Sequence, residues 1–106
     1  MTSPARLAWA AARAFVTACE TGTHYVWLQG RVTSLLGPEY QRALTRSRHR
    51  VVNPRHYDAR LLEADIWRHR LTRTLERRPE LAEALRDLYV EADTRLSQGT
   101  RDDRTA

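Results

Sequence analysis

The chain has 106 residues, of which 18 are basic and 13 acidic, a net charge of +5, and every basic residue is arginine. A chain of this length supports one domain around one core, burying about two-thirds of the surface its unfolded form exposes. Its single cysteine, Cys19, excludes an intramolecular disulfide and a cysteine cluster for zinc, and points to a reducing cytoplasm.

From the N-terminus, Ser3 can cap a helix that begins at Pro4 and that Gly22 can end. Arg6, Arg13 and Glu20 recur every seven residues as a narrow polar stripe, leaving an apolar arc of about 220° that includes Leu7, Trp9, Ala11, Phe15, Val16 and Ala18. Such an arc suits a central helix packed on several others, or one whose Trp9 and Val16 face a second subunit. Val16-Thr17-Ala18-Cys19 also resembles a relaxed lipoprotein cleavage signal, but Arg13 interrupts the apolar stretch and Leu7 to Cys19 is too short to span a bilayer. No membrane association is expected.

A second helix is predicted from Thr23 to Leu36, ended by Gly37-Pro38, with Tyr25, Leu28, Val32, Leu35 and Leu36 buried and Trp27 projecting beside Arg31 and Ser34. Pro38 to Arg46 reads as a short, weakly packed helix, because only Tyr40, Ala43 and Leu44 are available to bury.

Two longer helices close the chain. Tyr57 to Arg77 carries Tyr57, Leu61, Ala64, Trp67, Leu71 and Leu75 on one face, with Leu62 and Ile66 roughly opposite. Pro79 breaks the helix at Arg78, and Glu80 to Leu96 follows with Leu81, Leu85, Leu88, Tyr89, Ala92 and Leu96 in one arc. The expectation is an all-α bundle of four to five helices over residues 1–96, closed by this pair as an antiparallel hairpin, with residues 97–106 a disordered polar tail.

Residues 42–60 contain Arg42, Arg46, Arg48, Arg50, Arg55 and Arg60 against Asp58 alone, whereas residues 79–96 contain five acids and two arginines. The basic segment, with His49, His56 and Tyr57 interleaved, is consistent with a solvated loop, with a nucleic-acid surface, or with a dock for an acidic partner such as the acidic helix of a second copy.

The run Leu71-Thr72-Arg73-Thr74-Leu75-Glu76-Arg77-Arg78-Pro79-Glu80-Leu81 and onward to Leu88 resembles the closing hairpin of small helical modules in actinobacterial proteins that accompany effector or conflict systems. The absence of lysine and the 14 alanines and 13 leucines agree with such a GC-rich source. The resemblance implies adaptor or oligomerisation behaviour without catalysis. The spacings of Arg42 to His49 and Arg50 to His56 resemble the arginine–histidine pairs of HEPN-type helical ribonucleases, but the abundance of arginine produces such pairs by chance. Asp65 and His69 stand one turn apart, the spacing of an ordinary helical contact.

The sequence therefore predicts a non-catalytic helical interaction or oligomerisation module with contact residues Trp9, Val16, Trp27, Leu62 and Ile66, partnered by itself or by an acidic protein. No catalytic residue, metal ligand or cofactor is assigned. The alternative is sequence-independent nucleic-acid binding through the arginines of residues 42–60.

Overall fold

The computed structural model describes residues 3–53 and 58–105, which form five α-helices and one 3₁₀ turn without a strand: α1 (Pro4–Ala18), α2 (Gly22–Leu36), α3 (Pro38–Val52), α4 (Ala59–Arg77), the turn Pro79–Leu81, and α5 (Ala82–Thr105). The fold is all-α. Arg55, His56 and Tyr57 of the basic segment lie outside the described residues.

The helix ends follow local chemistry. Ser3 caps α1 by accepting from the backbone N–H of Arg6, and Pro4 occupies the first position, where no donor is needed. Gly37 adopts φ 107°, a backbone that favours glycine, and so lets α2 stop one residue before Pro38 begins α3. Arg78 leaves the helical region ahead of Pro79, as the residue before a proline should.

The centre of the molecule is α1. Leu7, Ala8, Ala11, Ala12, Phe15, Val16 and Ala18 are all buried, and the alanines let neighbouring backbones approach closely. α1 packs most extensively on α4 and then on α5, while α2 lies against α3 and α5, and α3 against α4. The two C-terminal helices meet chiefly through the turn Pro79–Leu81, which touches both. The expected direct packing of α4 on α5 is thus largely replaced by packing of each on α1, whose apolar arc is wide enough to serve both.

Three further expectations are corrected. α3 does not stop near Arg46 but runs to Val52, because the polar Ser47 is buried and continues the inner face formed by Ala43 and Leu44. Leu61 is 75% exposed, since the buried face of α4 is centred on Glu63, Ala64, Trp67, Leu71, Thr74 and Leu75 instead. α5 continues through residues 97–105 as helix rather than ending at Leu96.

The buried carboxylate of Glu63 explains the shift in α4. It accepts from Ser47 Oγ at 2.7 Å and from the Arg50 guanidinium at 3.0 Å, while Trp67 Nε1 donates to Ser47 Oγ at 2.8 Å. Every buried polar atom of this network has a partner, so it locks α3 to α4 in one register. Phe15 meets Trp67 edge-on, with centroids 5.5 Å apart, and joins the network to α1. Among the described residues no helix is long and apolar enough to cross a membrane.

Candidate nucleic-acid interface

The residues expected at an interface separate into buried and exposed groups. Val16 is only 3% exposed and belongs to the core between α1 and its neighbours, so the free surface of α1 does not include it. Trp27 is partly buried, with the Arg95 guanidinium 4.4 Å and that of Arg31 5.8 Å from its ring centroid. Both arginines also bond Glu91, so Trp27 is the apolar floor of a clamp between α2 and α5. Trp9 is 40% exposed beneath Arg68, which in turn bonds Asp65 at 2.6 Å. That hydrogen bond holds the Asp65 carboxyl below its ordinary range. Leu62 and Ile66 are 62% and 41% exposed on the outer side of α4.

The arginines of residues 42–60 also divide. Arg48 donates to the Cys19 carbonyl at 2.5 Å, at the C-terminal end of α1, and lies over the Tyr25 ring. Arg50 is spent on Glu63, and Arg60 pairs with Glu20 at 2.5 Å. These three serve the fold. Arg42 and Arg46 are exposed on α3 and form no ion pair among the described residues.

The contacts across α3 and α4 show where these two arginines sit. Tyr40 meets Thr74, Ser47 meets Trp67 and Glu63, and Arg50 meets Glu63, so the helices run antiparallel with the start of α3 beside the end of α4. The opposite flank of α3 faces α2, where Tyr25 Oη and Thr45 Oγ1 are 2.9 Å apart. At 100° per residue, Arg42 and Arg46 therefore fall on the outer side of α3, with His49 on the same side. On α4 the matching outer positions are Ile66, Arg70, Arg73 and Arg77. Two arginine rows thus flank one helix–helix seam.

The α4 row lines a cleft of about 410 Å³, in which His69, Arg70, Arg73 and Arg77 of α4 and Arg78, the residue following it, meet Leu36 and Tyr40, while Arg42 and Arg46 stand outside it. Among the described residues no acidic side chain lines it. Arg70 lies 5.0 Å over the Trp67 ring, Arg78 pairs loosely with Glu80 at 3.5 Å, and no ion pair reaches Arg73 or Arg77 among the described residues. Glu39 heads the α3 row without pairing to it. Charge density along the sequence points to residues 42–60 and not to the α4 row. Its signal is the spacing of Arg70, Arg73 and Arg77, at three and four residues on one helical face.

Arg42 and His49 share an exposed helical face with no buried group to orient either, and no three His, Cys, Asp or Glu side chains converge as metal ligands among the described residues. Cys19 is buried, and burial pushes its thiol up to about 12, far from a reactive thiolate. No family model, curated protein or solved structure matches the chain.

Proposed function

We propose that the chain is a non-catalytic helical module that binds nucleic acid without sequence preference through the outer face of α3 and α4. The observation that carries this reading is the pairing of two arginine rows, exposed Arg42 with Arg46 and half-buried Arg70 with exposed Arg73 and Arg77, that form no ion pair among the described residues and run along one antiparallel seam. Guanidinium groups that no carboxylate neutralises are free to displace counterions from phosphates, and the helices hold them in a line. A guanidinium can bond a guanine edge as well as a phosphate, but a face of arginine alone carries no mixed set of donors and acceptors for the other bases, so its contacts are chiefly to backbone. A reducing compartment suits the buried, unpaired Cys19.

The test is fluorescence anisotropy with labelled single-stranded and duplex oligonucleotides across a salt series. Binding should weaken steeply with salt, and Arg42→Ala/Arg46→Ala/Arg73→Ala should reduce the log–log salt slope by about 2 to 3 while leaving helicity intact. Salt-insensitive binding, or a triple variant with the parental slope, would sink the proposal.

A second reading, assembly of the chain with itself, is favoured by the exposure of Leu62 and Ile66 one turn apart on α4. It predicts a nucleic-acid-free assembly that persists at high salt and dissociates in Leu62→Glu. A monomeric mass by light scattering for the parent protein would remove it.

A further inference from the structure

The cleft beside the α4 arginine row has two chemically different walls. Leu36 and the Tyr40 ring form one, where Gly37 turns the chain from α2 into α3. The Tyr40 ring is fixed by its hydroxyl: Thr74 donates its own hydrogen to the Arg70 carbonyl at 2.8 Å, so in the Tyr40–Thr74 contact Tyr40 is the donor. The ring also lies 6.4 Å from Trp67, tilted by 42°. Tyr40 is therefore a held, flat, half-exposed surface rather than a mobile side chain.

The facing wall is cationic. Arg73 and Arg77 stand one helical turn apart with no carboxylate partner among the described residues, and Arg70 beside them lies 5.0 Å over the Trp67 ring centroid. Guanidinium groups spaced by one turn match a phosphate monoester, whose oxygens accept several charge-assisted hydrogen bonds. At about 410 Å³ the cleft lies within the range of small-molecule sites, roughly 300–1,000 Å³.

We infer that this cleft is a binding site for one nucleoside monophosphate unit, with the phosphate on Arg73 and Arg77 and the base against Tyr40 and Leu36. The aromatic wall distinguishes it from the rest of the α3/α4 face, which meets phosphates alone. A free mononucleotide satisfies the cleft, so the inference stands independently of strand binding.

Isothermal titration calorimetry with AMP, adenosine and inorganic phosphate tests it at low salt. AMP should bind at one site per chain, about tenfold or more tighter than either fragment, because both walls are used together. Arg73→Ala/Arg77→Ala, exposed changes whose fold is checked by circular dichroism, should weaken AMP by about tenfold or more, while Arg86→Ala, an exposed arginine of α5, should not. The inference is overturned if AMP binds no better than phosphate, or if the double variant binds AMP as the parent does. Strand binding that persists without an AMP site would remove the cleft alone, and an AMP site without strand binding would remove the strand reading alone.

Discussion

Arg31 and Arg95 at the α2/α5 corner, and Arg42, Arg46, Arg73 and Arg77 on the α3/α4 face, are the same residue type on equally regular helices, yet their charges are used differently. At the corner, Glu91 accepts from Arg31 at 2.7 Å and from Arg95 at 3.4 Å, and both guanidinium groups lie on the Trp27 ring. On the face no carboxylate pairs with those four arginines among the described residues. An arginine tied to a carboxylate and an aromatic ring is a packing element, whereas one without them is a charge presented to solvent and to ligands. Net charge alone does not separate the two, because part of the +5 is spent inside the fold.

The largest expected effect removes the support of the α3/α4 face. Trp67 is fully buried, touches Phe15, and donates to the Ser47–Glu63 network that fixes α3 on α4. Trp67→Ala should cost about 3–5 kcal/mol in stability, read as a lowered denaturation midpoint, and should dissolve the alignment of the two arginine rows. A variant of near-parental stability would show that the seam does not depend on this network.

Next comes the face itself. Arg42→Ala/Arg46→Ala/Arg73→Ala should weaken oligonucleotide binding by about tenfold to a hundredfold at moderate salt, with little change in thermal stability, because none of the three makes an internal ion pair among the described residues. Arg31→Ala/Arg95→Ala should do the reverse, lowering stability and sparing binding. The contrast collapses if both variants move the same quantity. A smaller effect is expected from giving the face a carboxylate of its own. Ile66→Glu places an acid one turn before Arg70 and two before Arg73, and should reduce binding about twofold to fivefold, corresponding to exposed ion pairs of about 0.5–1 kcal/mol.

Much of this architecture can be read in the sequence where local rules act alone. Ser3-Pro4, Gly37-Pro38 and Pro79 set helix ends by backbone chemistry, and the structure has breaks at each. The wide apolar arc of α1 already indicates a central helix. What the sequence hides is burial of polar groups. Glu63 and Ser47 are buried because they satisfy each other across two helices, and no periodicity of apolar residues reveals such a pair. For that reason apolar periodicity ends α3 too early, near Arg46, and puts Leu61 on the inner face of α4, where the structure has Glu63. The arginine face was half visible: the α3 members lay in the dense basic segment, while Arg70, Arg73 and Arg77 acquire meaning only once α3 is known to run beside them.

The smallest effect concerns the corner, and it has a defined pH signature. The hydrogen bond from Arg31, supported by Arg95, holds the Glu91 carboxyl below its ordinary value of 4.5. A carboxyl depressed in the folded state contributes stability that is present above the unfolded value and lost as pH falls through the folded one. Glu91→Gln should therefore lower the thermal midpoint slightly at neutral pH, and the difference from the parent should close on acidification below about pH 4.5. The same substitution frees Arg31 and Arg95 from their shared carboxylate. If unpaired arginine were sufficient for nucleic-acid binding wherever it occurs, Glu91→Gln would strengthen binding appreciably. If the aligned seam of α3 and α4 is what matters, binding should stay at the parental level even as the corner loses its clamp, because Arg31 and Arg95 still lie on Trp27 and face no second row.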